Sequence, residues 1–243
     1  MKKAVLITGV LGGIGRELAI AFKEAGFYVY GLDVRLSDIC EADEFIQFDL
    51  NKFAEGGSYY DKWKTDFFKK IGSLNVLINN AAVQRLGGVR SLALEDWKET
   101  LNVNLTGPLL LTQLFLPYLE KAAGSVINIG SIHQQLTKPN FVCYATSKSA
   151  LIGLTKAIAV DLQGKVRVNA ISPAAIETDM LRAGFNNDEK ALDELRKIHP
   201  VQRIGYPKDV AKMALFLASE NSGFIHGANL SLDGGISSVL KDL

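Results

Sequence analysis

The sequence predicts a single α/β domain built on a doubly wound parallel sheet. Two observations predict it. Short, wholly apolar runs alternate along the chain with segments whose apolar residues recur at helical spacing, which is the pattern of parallel strands joined by crossover helices. No repeat, low-complexity tract or linker divides the 243 residues, so one domain is expected to span residues 1–243.

The first strand leads into a turn rich in glycine. Residues 4–7 are wholly apolar, residues 8–15 contain four glycines, and residues 16–22 carry apolar side chains at helical spacing. A strand, a glycine turn and a helix in this order let the backbone approach a pyrophosphate, toward which the helix points its N-terminal amides. Because glycine also serves ordinary turns and helix ends, the turn alone leaves nucleotide binding and a purely structural role both open.

The second strand ends in an acidic residue. Residues 27–32 are followed by Asp33, twenty positions after Gly13. In a dinucleotide fold a carboxylate at this place accepts hydrogen bonds from the adenosine ribose. It would also repel a 2′-phosphate, so Asp33 favours NAD over NADP, although Arg35 lies close enough to leave NADP open. The alternative is that Asp33 merely ends a strand.

The remaining elements continue the alternation. Residues 34–44 show no convincing amphipathic pattern, so a full crossover helix is not expected before the third strand at residues 45–49. Each later helix precedes a strand, and the predicted pairs are 62–71 with 75–79, 96–123 with 125–129, and 144–162 with 166–171. Because parallel strands end at the same edge of a sheet, the loops that follow them should converge there and build the binding site.

Composition bounds the class of partner. Lys and Arg total 27 against 26 for Asp and Glu, so a small-molecule substrate is expected, and neither nucleic acid nor an anionic membrane. No apolar stretch reaches the ~20 residues that span a bilayer. The two cysteines, Cys40 and Cys143, lack metal-like spacing, and the three histidines, His133, His199 and His226, suggest no ligand cluster. Reduced thiols in a cytoplasmic protein, without a metal site, are therefore expected.

Residues 131–148 place a hydroxyl, a phenol and an ammonium in one segment. Tyr144 and Lys148 are one helical turn apart, so in a helix both side chains project from the same face. A phenol ionises near pH ~10 when unperturbed, and a neighbouring positive charge lowers its pKa toward the range useful for proton transfer. Taken singly, the two residues could equally be an exposed helix pair.

Several signatures in one order make the chain resemble the short-chain dehydrogenase/reductase family over essentially its full length. They are T-G-V-L-G-G-I-G at residues 8–15, Asp33, Asp49-Leu50, N-N-A-A at 79–82, N-V-N at 102–104, Ser131, Y-A-T-S-K at 144–148 and L-D-G-G at 232–235. The resemblance implies a Rossmann-type fold, a homotetramer and an NAD(P)-dependent oxidoreductase that interconverts a secondary alcohol and a ketone.

The resemblance also implies a catalytic tetrad of Asn104, Ser131, Tyr144 and Lys148, with Tyr144 thirteen positions after Ser131. Tyr144 would exchange a proton with the substrate oxygen, and Lys148 would lower the pKa of the phenol. Ser131 would hydrogen-bond the reacting oxygen, and Asn104 would hold a water that links the lysine to solvent.

By matching position, the resemblance implies a set of contacts to the cofactor. They are Gly9, Gly13, Ile14 and Gly15 at the pyrophosphate, Asp33, Asp49, Leu50 and Asn79 near adenosine, Tyr144 and Lys148 at the nicotinamide ribose, and Ile176 and Thr178 at the carboxamide. NAD is the expected cofactor. The chain departs from the family at Pro173-Ala174, where Pro-Gly is usual, so a slightly stiffer backbone is expected there.

Residues 178–205 combine mixed charge with helical pattern and are predicted to form a substrate lid. The candidates for substrate contact, most of them polar, are Gln84, His133, Gln134, Asn140, Phe141 and Arg182. They favour a hydroxylated or carboxylated substrate over a steroid-like one. Two alternatives stay open: an NADPH-dependent 3-oxoacyl-type reductase, and a sensor that binds NAD without turnover.

Overall fold

The computed structural model describes residues 2–57 and 60–240. In this part of the chain seven parallel strands form one sheet in the order β3-β2-β1-β4-β5-β6-β7. The strands are β1 (Ala4–Thr8), β2 (Tyr28–Asp33), β3 (Glu44–Gln47), β4 (Val76–Asn79), β5 (Ser125–Ile129), β6 (Arg167–Pro173) and β7 (Asn229–Leu232). The predicted doubly wound parallel sheet is confirmed.

Helices cover both faces of the sheet. Those in the described residues are α1 (Gly13–Glu24), α2 (Leu50–Glu55), α3 (Asp61–Lys70), α4 (Leu94–Leu101), α5 (Gly107–Lys121), α6 (Val142–Leu162), α7 (Asp179–Gly184), α8 (Glu189–Ile198) and α9 (Pro207–Ala218). None of them is long and apolar enough to cross a membrane. As predicted, the described residues 34–43 connect β2 to β3 without a helix.

The wholly apolar strands are explained by two core clusters, one on each face of the sheet. Successive side chains of a strand point to opposite faces, so Leu6 joins one cluster and Ile7 the other. The first cluster includes Phe115 from α5, and the second includes Phe22 from α1 and Val210 from α9. Both faces of β1 are therefore buried, which is why its sequence shows no polar alternation.

The long helix predicted over residues 96–123 is present as continuous helical backbone over residues 94–121, but it contains a π-helical turn that the sequence did not predict. The chain forms α4, then a π-helical turn at Asn102–Thr106, and then α5. Pro108 closely follows the π turn, near the start of α5, and donates no backbone N–H to the turn before it. The buried Asn104 side chain hydrogen-bonds the backbone of Val83 in the loop after β4, which fixes the π turn against a neighbouring segment. Wider turns of this kind occur often at functional sites.

The loops that follow β1 and β4 are tied together where the strand order reverses. The Thr8 hydroxyl accepts the backbone N–H groups of Asn80 and Ala81 at 3.0 and 2.9 Å. The Asn80 side chain donates in return to the carbonyls of Thr8 and Gly9 at 2.9 and 3.1 Å. This switch point is where an open parallel sheet offers its ligand crevice.

Close backbone contacts require two of the glycines in the turn after β1. Gly9 has a φ of +66°, and a Cβ there would lie 2.8 Å from the Ala81 Cα. A Cβ at Gly15 would lie 2.0 Å from the carbonyl oxygen of Gly9, which is inside hard-sphere contact. The first turn of α1 therefore packs directly on the glycine turn.

Replacing Gly15 with alanine should destabilise the fold by about 3 kcal/mol, since the methyl group would push the Gly9 carbonyl out of the turn. Gly153→Ala is the matched control. Gly153 lies inside α6, and no neighbouring atom comes within 4 Å of the position that a methyl group would take, so its alanine variant should gain about 0.5–1 kcal/mol. Urea unfolding of the three proteins measures both effects. Equal stability of G15A and wild type would contradict the close contact.

Candidate active site

The end of β5 and the first turn of α6 bring Ser131 and Tyr144 together. Ser131 is buried and caps the short 3₁₀ turn Ile132–Gln134, with its hydroxyl accepting the His133 N–H at 3.2 Å. Its side chain also hydrogen-bonds the Tyr144 phenol. Burial raises the pKa of Tyr144 above its ordinary value, and the hydrogen bond from Ser131 offsets only part of that rise.

Lys148 lies one turn further along α6 and is only 2% exposed. Its Nζ donates to the Ile129 carbonyl at 2.8 Å and lies 5.7 Å from the centroid of the Tyr144 ring. Burial lowers the pKa of Lys148 to about 8. The sequence predicted a lowered pKa for Tyr144, and this direction is corrected: desolvation disfavours the charged forms of both groups, so the phenol and the amine are each shifted toward neutrality.

Asn104 positions two segments of the site. Its Oδ1 accepts the Val83 N–H at 2.9 Å, and its Nδ2 donates to the Val83 carbonyl and the Ser147 hydroxyl, both at 3.0 Å. The Ser147 hydroxyl donates in turn to the Tyr144 carbonyl at 2.7 Å. These three bonds hold the loop after β4 against the start of α6. That Asn104 also holds a water stays a prediction.

The glycine turn has the properties of a pyrophosphate cradle. Gly12, at the N-cap of α1, provides no side-chain cap, and the first turn of the helix carries no acidic residue. Ile14, partly exposed, lies in that first turn. The backbone amides of this first turn and the positive end of the helix dipole therefore suit a negatively charged group. A Cβ at Gly13 would come within 2.9 Å of the Thr178 methyl, so glycine lets residue 178 approach the turn.

Asp33 stands at the adenosine side of this crevice. It is 6% exposed, its Oδ2 accepts the Leu11 N–H at 3.0 Å, and its Oδ1 forms an ion pair with the Arg35 Nε at 3.2 Å. An adjoining pocket of about 260 Å³ is lined by Val10, Leu11, Arg16, Arg35, Leu36, Ser37, Ile39, Cys40 and Glu41. These residues therefore fit the pyrophosphate and the adenosine of a dinucleotide, with glycine-turn amides for the phosphates and a carboxylate beside a pocket of mixed polarity for adenosine.

The side chains of three predicted adenosine contacts cap a helix or pack inside the protein. Asp49 caps α2 by accepting the backbone N–H groups of residues 51 and 52, and Leu50 is buried. Asn79 is 3% exposed and donates to the Asn128 Oδ1 at 2.8 Å inside the sheet, while its own Oδ1 has no hydrogen-bond partner among the described residues. The neighbouring Asn80, which sequence reasoning did not single out, is partly exposed and donates to the carbonyls of Thr8 and Gly9 in the glycine turn.

Comparison with known proteins accords with this geometry. A family model described as enoyl-(acyl carrier protein) reductase matches residues 9–237. The 3-oxoacyl-[acyl-carrier-protein] reductase of Thermotoga maritima is 34% identical over 242 residues, covering 96% of this chain and 97% of that protein. The chain belongs to the short-chain dehydrogenase/reductase family. It is an NAD(P)-dependent oxidoreductase that acts on alcohol or keto groups.

Solved structures of this family superpose closely on the chain. The aldohexose dehydrogenase of Thermoplasma acidophilum gives a TM-score of 0.92 at 33% identity, covering 99% of this chain and 96% of its own. A gluconate 5-dehydrogenase from Burkholderia cenocepacia, in complex with NADP and tartrate, gives 0.87 at 28% identity, covering 98% and 96%.

On the substrate side of this short-chain dehydrogenase/reductase, three rings pack in series. His133 stacks on Phe141 with centroids 4.4 Å apart, and its edge meets Tyr144 at 5.6 Å. Burial, and to a smaller extent the charge of Lys138, lower the pKa of His133, so the imidazole is neutral at neutral pH. Gln84 and Gln134, two further substrate candidates, are half-buried.

The other substrate candidates have different surroundings. Asn140 is exposed with a φ of +68°, and its carbonyl accepts the Gly87 N–H at 2.8 Å. Arg182 is held by ion pairs to Glu177 and Glu189, each at 2.6 Å, so its guanidinium is already neutralised by carboxylates. Its selection as a substrate contact therefore finds no support in this arrangement.

The two predicted carboxamide contacts lie between β6 and α7, where the chain enters the predicted lid. Ile176 is buried and pairs with Gly205 in an isolated parallel bridge. Thr178 caps α7 through its hydroxyl, which accepts the Leu181 N–H at 3.3 Å. Ala174 shows no left-handed φ, and its N–H donates to the Leu232 carbonyl at 3.1 Å, so alanine is accommodated where the family usually has glycine.

The buried lysine makes stability depend on pH. Because the pKa of Lys148 falls from 10.5 unfolded to about 8 folded, the stability it contributes is present above pH 10.5 and is lost as pH falls through about 8. Relative to wild type, Lys148→Met should therefore gain about 3 kcal/mol between pH 10.5 and pH 7. Urea unfolding across this range measures the change. The exposed Lys165→Met is the control, and a K148M difference as constant as that of K165M would contradict the assignment.

Proposed function

We propose that the protein is an NAD-dependent dehydrogenase that interconverts a secondary alcohol and a ketone on a small hydroxylated or carboxylated molecule. The observation that carries the proposal is the convergence of Ser131, Tyr144 and Lys148 beside an uncapped glycine turn at one edge of the sheet. Hydrogen-bond donors, a proton-transfer group and a dinucleotide cradle then face the same crevice.

In the proposed mechanism a bound nicotinamide supplies the hydride chemistry, and the chain handles the proton. Burial keeps the Tyr144 phenol protonated at neutral pH, so it is ready to donate to a ketone oxygen, and alcohol oxidation requires its deprotonation. The Ser131 hydroxyl is placed to hydrogen-bond the same oxygen. With a pKa of about 8, Lys148 can give or take a proton close to physiological pH.

The cofactor preference rests on Asp33. Its carboxylate stands at the end of β2 beside the adenosine pocket, where it would accept ribose hydroxyls and repel a 2′-phosphate. Arg35 opposes this preference less than its charge suggests, because its guanidinium is paired with that same carboxylate.

The substrate class rests on the polar character of the pocket and on the relatives. Gln84, Gln134 and the neutral His133 offer hydrogen-bonding groups around Tyr144, which suits hydroxylated molecules. Similarity to an aldohexose dehydrogenase and to a gluconate 5-dehydrogenase points the same way.

A second candidate is an NADPH-dependent 3-oxoacyl-type reductase. The similarity to the Thermotoga reductase favours it, as does the presence of Arg16 and Arg35 in the adenosine pocket. A sensor without turnover is disfavoured because it would not need Ser131, Tyr144 and Lys148 to lie together.

Three further features stay predictions: a single domain with a lid at residues 178–205, a homotetramer, and a cytoplasmic location. The lid is supported by the contact of Thr178 with Gly13, which places the start of α7 against the glycine turn. Assembly is supported by exposed apolar side chains such as Phe216 and Phe224 near the edge strand β7.

Replacing Tyr144 with phenylalanine should reduce turnover by about 10²–10⁴-fold while leaving NADH binding intact, since only the proton-transfer hydroxyl is lost. Steady-state assays and NADH fluorescence titration measure the two quantities. Tyr118→Phe removes the same hydroxyl from α5, where the ring stacks on Phe68, and should leave turnover unchanged. Normal turnover by Y144F would refute the catalytic assignment.

The wild type should bind NADH at least about tenfold more tightly than NADPH. Asp33→Asn keeps an acceptor for Leu11 but removes the charge and releases Arg35, so it should bind NADPH more tightly. The double variant D33N/R35A should lose that gain. Asp38→Asn, an exposed carboxylate of the same loop, is the control.

Fluorescence titrations of both cofactors at one fixed ionic strength measure these affinities. Tighter binding of NADPH by the wild type would overturn the NAD assignment and favour the reductase candidate.

A further inference from the structure

Lys138 is a cation held between two aromatic rings on the substrate side of the site. Its Nζ lies 4.8 Å from the centroid of Phe141 and 5.6 Å from that of Phe185. Phe141 belongs to the ring series that ends at Tyr144, while Phe185 closes α7 in the predicted lid. The ammonium is therefore positioned where the 131–143 segment faces the lid.

The charge of Lys138 differs from that of the other basic groups around the site. Arg182 is neutralised by Glu177 and Glu189, and Lys148 is buried against a backbone carbonyl. Over the described residues, 2–57 and 60–240, no carboxylate oxygen comes within ion-pair distance of the Lys138 Nζ. An exposed ammonium over ring faces gains only about 0.5–1 kcal/mol from them, which leaves its charge available to an anion.

We propose that Lys138 binds the carboxylate of the substrate, so that the protein acts on a hydroxylated acid in preference to the corresponding neutral polyol. This inference deepens the proposed function and rests on it. The rings favour one placement of the Lys138 side chain before binding, which reduces part of the entropy lost when the ion pair forms.

The spacing suits such a molecule. The Phe141 centroid lies 4.8 Å from the Lys138 Nζ and 6.1 Å from the Tyr144 centroid. The ammonium can therefore be no farther from the centre of the phenol ring than these two distances combined. A sugar acid extended between them would place a hydroxyl-bearing carbon at Tyr144 and its carboxylate at Lys138. The charge of Lys138 already acts within this pocket, since it helps to depress the pKa of His133.

The lid offers little repulsion to an anion. The Glu177 carboxylate is paired with Arg182 and Arg196, and Glu189 is paired with the same two arginines. A carboxylate bound by Lys138 would therefore lie between a neutral imidazole on one side and a charge-balanced lid on the other.

A purely structural role for Lys138, as a link between the 131–143 segment and the lid, makes a different prediction. Lys138→Met keeps an unbranched apolar stem that can still pack on both rings, and Lys138→Arg keeps the charge. Loss of a structural link would weaken the binding of acidic and neutral substrates equally. Loss of a carboxylate subsite would weaken the binding of the acids only.

The test is calorimetric binding to the NADH-loaded protein, in which a hydroxy acid cannot be oxidised. D-gluconate is compared with D-sorbitol, and tartrate with threitol. The wild type should bind an acid at least about tenfold more tightly than its polyol, and added salt should weaken only the acid. K138M should abolish the preference, while K138R and the exposed control K165M should retain it.

Two results would overturn the inference: a wild type that binds no acid better than its polyol, or a K138M variant that keeps the preference. Failure of the proposed function would look different. In that case the wild type would bind NADH but oxidise none of the acids or polyols with NAD.

Discussion

The close approach of the turn after β1 to the loop after β4 is the constraint on which the rest of the site depends. Thr8 joins the two segments by accepting the N–H groups of Asn80 and Ala81, and Gly15 lets α1 begin directly against Gly9. A single methyl group at either glycine would separate backbone atoms that must touch. The crevice and the N-terminus of α1 lie beside that contact, and Asp33 is tied to the same turn by accepting the Leu11 N–H.

Burial shifts the pKa values of the reacting groups, and for Lys148 this shift lowers the stability of the fold at neutral pH. Tyr144 and Lys148 lie side by side on α6, and desolvation shifts both pKa values toward the neutral forms. The expected phenolate–ammonium pair would need more compensation than the Ser131 hydrogen bond provides in this structure. A positive nicotinamide ring is the kind of charge that could supply it, so the free protein favours the protonated phenol and cofactor binding would favour its ionisation.

The sequence predicted the parallel sheet and the residues around the crevice because both depend on local order: apolar runs, a glycine turn, and an acid at a strand end. It failed where a side chain's partner is distant in sequence. Asn104 hydrogen-bonds Val83 and Ser147, and Arg182 is neutralised partly by Glu189. The positions of these residues in the sequence do not indicate that they are in contact. The short strand β7 and helices α2 and α9 were also not predicted, since their apolar residues contact the core only after the chain has folded around it.

The 131–143 segment shows why substrate identity is harder to predict than reaction class. Its ends are placed by β5 and α6, but its interior is positioned by the loop after β4. Phe141 pairs with Gly87, the Asn140 carbonyl accepts the Gly87 N–H, and the thiol of Cys143 donates to the Arg85 carbonyl at 3.1 Å. These contacts orient Phe141, and Phe141 in turn positions both His133 and Lys138. The proposed substrate preference would therefore depend on how residues 85–88 hold one aromatic ring, and a change in that loop would alter the proposed pocket without touching a predicted catalytic residue.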